Sequence, residues 1–331
     1  MTLPPTMRAL VVEALAADFA GCAVREVATP SPGPGEVLVR VRAASVNFPD
    51  LLMTRGEYQF RPPLPFTPGL DLCGEVAALG EGVTAFQVGD AVVGGARLGG
   101  FAQYAVLAAE SLKPKPARLS FAEGAAYGAA YLTAYVALVR RARLEPGEWV
   151  LVHGAAGGVG LAAVDLAKAL GARVIAASAS DAKLERVQAL YAPDAVVNVT
   201  GGFRERVKEI TGGRGADVIY DPVGGDVFDE SVRCIAFDGR LLAVGFTSGR
   251  IPTLSVNMPL IKGFSVMGVR AGEYGRQFPD KGRENAEAVW RMADEGVIRP
   301  HVHAELPLDR WREAFALLAG RKVVGKAVIV P

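Results

Sequence analysis

The sequence predicts an α/β protein of two domains: a doubly wound parallel sheet in its second half and a compact β-barrel domain in its first. Three observations carry this expectation. The stretch WVLVHGAAGGVGLAAVDLAKALGARVIAASAS, Trp149 to Ser180, reads as strand, glycine-rich turn, helix and strand. Beyond it, strand and helix signals keep alternating, the pattern of a parallel sheet. Before it, the chain is a series of short β-like runs punctuated by Gly, Pro and Asp, the pattern of a barrel. At 331 residues the chain exceeds one typical domain.

From the N-terminus, Met7 to Glu13 and Glu36 to Ala44 read as strands, joined through the turn-rich Pro30–Gly35. In VLVRVR the alternation puts Leu38, Arg40 and Arg42 on one face and Val37, Val39 and Val41 on the other. Residues 45–69 are loop-rich. Pro49, Pro62, Pro63, Pro65 and Pro68 forbid long regular structure, and long irregular loops are often functional. Asn47, Asp50 and Tyr58 are its polar members able to act in a site, with Asp50 after Pro49 also readable as a helix N-cap. Gly74–Leu79, Phe86–Gly94 and Phe101–Val106 return to strands. Alanine-rich Phe121–Arg143 is helical, which puts the domain boundary near residues 115–125.

The Trp149–Ser180 unit carries the most specific chemistry. Its helix shows Val159, Ala163, Leu166, Ala167 and Leu170 on one face and ends at Gly171; Arg173–Ala177 is a buried strand. Such a turn is where a dinucleotide pyrophosphate sits, because missing Cβ atoms let the backbone approach it. The usual glycine register falls here on Ala155, Gly157 and Gly160, with Gly158 as a further side-chain-free position. The second strand ends without the Asp or Glu that would hold a ribose 2′-hydroxyl. Ser178 and Ser180 stand there instead, Asp181 reads as a helix N-cap, and Lys183 and Arg186 follow. Hydroxyls plus cations favour a 2′-phosphate, hence NADPH over NADH. Further on, Ala195–Asn198, Ala216–Asp221, Arg240–Gly245 and Phe264–Val269 are strand-like. Phe203–Thr211, Val227–Ile235, Glu284–Gly296 and Asp309–Ala319 are helical, and Val323–Val330 is a last strand.

Net charge is +1, which gives no footprint for nucleic acid or an anionic membrane. No 18-residue apolar run free of charge and glycine occurs, and no signal-peptide pattern opens the chain. Cys22, Cys73 and Cys234 are scattered and odd in number, which fits a reducing, cytoplasmic setting. His153, His301 and His303 read as packed or exposed residues rather than ligands. The four closely spaced cysteines of a structural zinc lobe are also missing, and with the histidines read as non-ligands no catalytic zinc is expected.

Together, AASVNFPDLLMTRGEYQFRPPLPFTPG, GEVAALGEGVTAFQVGDAVVG, YLTAY, HGAAGGVGLAAVDLAKALGA and VVGKAVIVP resemble the zinc-independent quinone oxidoreductase branch of the medium-chain dehydrogenase/reductases. The resemblance spans the chain. It implies a GroES-like catalytic barrel formed by residues 1–122 and 271–331 around a Rossmann NADP-binding domain, 123–270. It also implies a homodimer joined through Phe264–Val269. Asn47 and Tyr58 match residues near the nicotinamide and the substrate cleft. Thr133 matches a residue beside the nicotinamide, and Gly245, Phe246 and Thr247 a segment along its ribose. Ala155, Gly157, Gly158, Val159 and Gly160 match the pyrophosphate turn, and Ser178 and Lys183 the 2′-phosphate contacts. The tyrosine that often supports that lysine is Val199 here. Arg321 and Lys326 match basic positions, and an arginine at the former can approach the cofactor phosphate. Zinc alcohol dehydrogenases also resemble the chain, but their early Cys and Gly-His-Glu read Ser45-Val46-Asn47 and Gly69-Leu70-Asp71 here. The activity implied is NADPH-dependent reduction of quinones or α,β-unsaturated carbonyls, with Asn47 and Tyr58 as donors to the acceptor oxygen. The alternatives are a 2-enoyl thioester (acyl-CoA) reductase, with Arg55 and Arg61 meeting CoA phosphates, and a non-catalytic, crystallin-like NADPH-binding protein.

Overall fold

The computed structural model describes residues 3–331. The chain forms two compact units. One takes the chain up to Ala129 with Ala293–Gly296 and Pro300–Pro331; the other takes Ala130–Met292 and Val297–Arg299.

In the first unit, β1 (Thr6–Val12) and β2 (Cys22–Ala28) pair as an antiparallel hairpin. Then come β3 (Glu36–Ser45), α1 (Phe48–Arg55), β4 (Asp71–Leu79), β5 (Ala91–Gly95), β6 (Tyr104–Ala108), β7 (Leu112–Pro114) and α2 (Phe121–Tyr135). Val37, Val39 and Val41 are buried in the core and Arg40 is exposed, as the alternation requires; Leu38 departs from it and is also fully buried. The helix α1 lies within the segment expected to be irregular. Pro49 is tolerated because it falls in the first turn, where its missing N–H has no partner to lose. Its N-cap is Asn47, not Asp50, which sits at the third helical position.

The second unit is built on a six-stranded sheet. Its elements are β8 (Trp149–Val152), α3 (Gly158–Ala169), β9 (Arg173–Ser178), α4 (Asp181–Tyr191), β10 (Ala195–Asn198), α5 (Arg204–Ile210), β11 (Ala216–Asp221), α6 (Gly225–Ser231), β12 (Ile235–Ala243), α7 (Asn257–Lys262), β13 (Ser265–Gly268), α8 (Ala271–Gln277) and α9 (Pro279–Glu295). The order is β10-β9-β8-β11-β12-β13, all parallel. This doubly wound order reverses direction between β8 and β11, and the carboxyl ends of those two strands frame the crevice where such sheets take ligands. Val150, Leu151, Val152, Val174, Ile175, Val218 and Ile219 are all fully buried, because helices cover a parallel sheet on both faces.

Several boundaries differ from expectation, among them the start of the second unit at Ala130 and two others. Val227–Ile235 is helical only to Ser231, and Ile235 already begins β12. Residues 271–292 belong to the second unit, not the barrel unit. Arg140, on the π-helical turn Val136–Arg141 that continues α2, fixes α9 there through Asn285 Oδ1 at 2.6 Å and Glu284 at 2.7 Å.

The chain returns to the first unit for β14 (Val302–Pro307), α10 (Trp311–Ala319) and β15 (Lys326–Val330). These complete a seven-stranded sheet, β14-β15-β3-β4-β5-β7 with β6 also on β3. Its core gathers Phe315 edge-on to Phe19, Phe101 and Trp311. No described helix is long and apolar enough to cross a membrane.

Candidate active site

The second unit places a glycine-rich turn at the start of α3. Gly157 caps α3 with extended backbone, and Gly158, Val159 and Gly160 form its first turn, whose N–H groups have no partner within the helix. Gly154 adopts φ +57°. A Cβ on Gly160 would fall 2.2 Å from Gly154 O, so only glycine lets the helix start this close to the turn. Gly157 is less demanding: its Cβ would lie 3.3 Å from that oxygen. Ala155 is fully buried, and its N–H donates to Ala177 O at 3.0 Å, tying the turn to the end of β9 beside Ser178. An alanine is accommodated at this first glycine position.

The neighbouring strand ends close around the crevice. Asp221, at the end of β11, is buried and accepts from Val223 N at 2.8 Å and Gly224 N at 2.9 Å; burial pushes its carboxyl above the usual range against these two bonds. After β12, Val244 N donates to Asp221 O, and Thr247 N and Ser248 N to Pro222 O and Val223 O. Gly245–Phe246–Thr247 is thereby latched to the end of β11, with Phe246 42% exposed. Asp221 is a residue the sequence reading missed; its signal is a carboxylate that ends the apolar run ADVIYD.

His153, the residue after β8, is buried, with Nε2 2.8 Å from Ser231 Oγ and its ring edge-on to Phe203. Ser231's single hydroxyl hydrogen goes to Val227 O at 2.7 Å, so the serine oxygen accepts and the histidine is the neutral Nε2–H tautomer. Burial pushes its pKa down to about 3.

Ser178 ends β9, and Ser180 N donates to its Oγ at 3.3 Å. Ser180, not Asp181, is the N-cap of α4. Asp181 opens the helix, where a carboxylate favours the dipole, and accepts from Asn198 Nδ2 at 2.7 Å. Lys183 is half-buried on α4 and Arg186 exposed. Thr133 lies on α2 in this same unit. Tyr131, two residues earlier, donates to Asp165 of α3 at 2.6 Å and so holds the two helices together.

Asn47, Tyr58 and Arg321 belong to the first unit. There, strand register builds a cluster of buried charge. Ser45 ends β3 opposite Asp71 of β4 and opposite Val328 of β15. Asp71 Oδ2 accepts from Asn47 Nδ2 at 3.0 Å and Ser45 Oγ at 3.2 Å, and its Oδ1 from Ala129 N at 3.2 Å. The other oxygen-facing contacts of Asn47 Nδ2 are Ser45 O and Oγ, at 3.2 and 3.3 Å. Both amide hydrogens therefore face acceptors within the protein. Asp50 accepts from Asn47 N at 2.8 Å and Gly69 N at 3.0 Å, bracing both ends of the 47–69 segment. Burial pushes Asp50 up to about 7 and raises Asp71. Lys326, at 7% exposure, reaches Asn47 Oδ1 at 2.5 Å. Its signal in the sequence was a lone cation inside the apolar run VVGKAVIV.

Tyr58 packs partly against the barrel core, and among the described residues its hydroxyl has no hydrogen-bond partner. Arg55 lies over the Phe19 ring at 4.9 Å. Among the described residues no group of three or more His, Cys, Asp or Glu is placed to hold a metal ion.

Residues 33–117 match the alcohol dehydrogenase GroES-like domain family, and 158–289 the zinc-binding dehydrogenase family. The quinone oxidoreductase-like protein 2 homolog of Nematostella vectensis is 40% identical over 304 residues, 91% of this chain and 83% of that protein. The chain belongs to the quinone oxidoreductase branch of the medium-chain dehydrogenase/reductase superfamily. Human quinone oxidoreductase is 30% identical over 309 residues, 92% of each chain. A mycobacterial protein solved in complex with NADPH superposes on this reductase with a TM-score of 0.89 at 30% identity, covering 98% of this chain and all of that one. The GroES-like and doubly wound units seen here are those of that superfamily.

Proposed function

We propose that this oxidoreductase uses NADPH to reduce quinones or α,β-unsaturated carbonyls, without a zinc ion. The observation that carries the reading is the Gly154–Gly160 turn, which packs so closely on the start of α3 that a Cβ at residue 160 would lie 2.2 Å from Gly154 O. NADPH bound there supplies the hydride. The first-turn amides of α3 hold its pyrophosphate, Ser178 and Lys183 its 2′-phosphate, with Arg321 as a further phosphate contact. Gly245–Thr247 and Thr133 position the ribose and nicotinamide. Tyr58, its hydroxyl unengaged, donates to the acceptor oxygen as charge develops there. The cluster of Ser45, Asn47, Asp50 and Asp71 already carries its own cation in Lys326, whose like charge opposes a metal ion in the same place.

The test is a panel of 1,4-naphthoquinone, simple enones and enoyl-CoAs with NADPH or NADH. NADPH oxidation with the first two classes is expected. Turnover confined to enoyl-CoAs, or tighter binding of NADH, overturns the corresponding part of the reading. Tyr58→Phe is expected to lower kcat/KM about 10- to 100-fold, the worth of one preorganised donor, with NADPH affinity unchanged.

The outer edge of β13 is unpaired among the described residues, and around it Phe237, Val256, Leu260, Ile261 and Val266 are exposed at 41–85%. An open edge beside an apolar patch is what a second copy would cover, which supports a homodimer through β13. Sedimentation of Val266→Lys is expected to show a monomer where the wild type is dimeric; a wild-type monomer contradicts this. The three cysteines are buried thiols, which supports a cytoplasmic setting.

A further inference from the structure

At the carboxyl end of β3, strands β4 and β15 and the first turn of α1 bury two carboxyl groups and one ammonium around a single amide. Asp50, Asp71 and Lys326 are 0%, 7% and 7% exposed. Lys326 comes from the last strand, 279 residues after Asn47. Register delivers it: β15 runs antiparallel to β3 with Val328 opposite Ser45, and Val46 N donates to Ala327 O at 2.9 Å.

The amide between the charges has one orientation. Its Oδ1 accepts from the Lys326 ammonium, and its Nδ2 donates to the Asp71 carboxylate. A flip would turn NH2 toward an ammonium and a carbonyl toward a carboxylate, both repulsive in a buried site. Among the described residues Asn47 is the only hydrogen-bond acceptor of that ammonium. The backbone N–H of Asn47 in turn anchors Asp50, whose other oxygen holds Gly69. The chain of contacts thus runs from Lys326 to both ends of the 47–69 segment, which carries Tyr58. Burial lowers the lysine's pKa and raises that of Asp71, and each charge works against the other's shift.

We propose that Lys326 is a positioning residue for acceptor reduction: it fixes the Asn47 amide and, through Asn47 and Asp50, the segment bearing Tyr58. The inference rests on the reading of Tyr58 as the acceptor's hydrogen-bond donor. It assigns Lys326 no contact with the acceptor.

The test combines kinetics with an observation that needs no turnover. Lys326→Met is expected to lower kcat about 10- to 100-fold, the cost of a misplaced reacting group, with NADPH affinity within about two-fold. In an Asn47→Ala background the same change is expected to cost less than about two-fold more, because Lys326 acts through Asn47. Lys326→Arg, which keeps the cation, is expected to recover part of the loss. Lys326→Met leaves two buried carboxylates without their cation, so Lys326→Met with Asp71→Asn provides a neutral pair should the single variant not fold. That pair is expected to fold and remain slow, since the amide has lost its ammonium partner and the charge on its Asp71 partner. Separately, hydrogen exchange of the 15N-labelled Asn47 side-chain amide is expected to be slow in the wild type and fast in either Lys326→Met variant. Additive losses with Asn47→Ala, full activity in the neutral pair, or an unchanged amide exchange rate overturns the proposal. If the wild type reduces no acceptor, the functional reading falls while the exchange measurement still decides the role of Lys326.

Discussion

Gly160→Ala is expected to weaken cofactor binding, NADPH affinity falling by about 100-fold or more, equivalent to roughly 2.7 kcal/mol. The new Cβ would lie 2.2 Å from Gly154 O and 2.8 Å from Gly154 C, both backbone atoms, so no rotamer relieves it. Either the start of α3 moves away or the turn opens, and the first-turn amides leave the pyrophosphate in both cases. Overpacking of this kind also costs roughly 1–3 kcal/mol of stability. Gly157→Ala is the matched control. Its Cβ would sit 3.3 Å from the same oxygen, with allowed backbone angles of −76° and 166°, so an effect under about ten-fold is expected. Fluorescence titration with NADPH reads both variants. Equal affinities for the two would contradict the cradle.

The second large effect is acid lability set by His153. Its folded pKa of about 3 lies below the ordinary 6.5, so the unfolded chain takes up the proton first. The stabilisation from keeping this histidine neutral is therefore complete above pH 6.5 and is lost as pH falls toward 3. The loss runs at about 1.4 kcal/mol per pH unit, or about 2 kcal/mol at pH 5. The cause is structural: a second ring N–H would need an acceptor, and Ser231 already serves Nε2. Urea unfolding of wild type and His153→Gln at pH 7.5 and 5 is expected to show a difference of that size in acid lability, the variant being less pH-sensitive. Asp50 has the opposite sign. Its pKa is raised to about 7, so its contribution is present at low pH and lost as pH rises through 7. Asp50→Asn is expected to flatten the loss between pH 5 and 8. Equal pH slopes in wild type and variant would contradict either assignment.

The parts of the molecule legible in the sequence were those whose physics is local. The β8–α3–β9 unit announces itself because an apolar run, a glycine turn and a 3.6-residue period follow one another within about thirty residues. Ser178 at the end of β9 and Lys183 on α4 take the structural places read for them, for the same reason. The capping residues were less so. Asn47 took the cap expected of Asp50, and Ser180 that expected of Asp181, because a polar residue one to three positions away carries nearly the same signal. Helix α1 was hidden by Pro49, which marks a break in mid-helix but not in a first turn. The allegiance of residues 271–292 was not readable at all, since Arg140 and Asn285 meet only in the fold. The Asn47–Lys326 contact is the extreme case. Its partners stand at opposite ends of the chain, and only the register of β15 on β3 joins them. The same amide's nitrogen faces Asp71 and Ser45, which leaves Tyr58 as the polar member of the segment with an unengaged hydroxyl.

The central claim is a direct hydride transfer from NADPH to an electron-poor acceptor. It is tested most directly with NADPH deuterated at C4 and protein freed of metal by chelation, using 2-cyclohexen-1-one as acceptor and mass spectrometry of the product. The account predicts cyclohexanone carrying one cofactor-derived deuterium at its β-carbon, formed at an undiminished rate after chelation. NADPH that binds but is not consumed, product without deuterium, or activity that returns only when zinc is restored would contradict it.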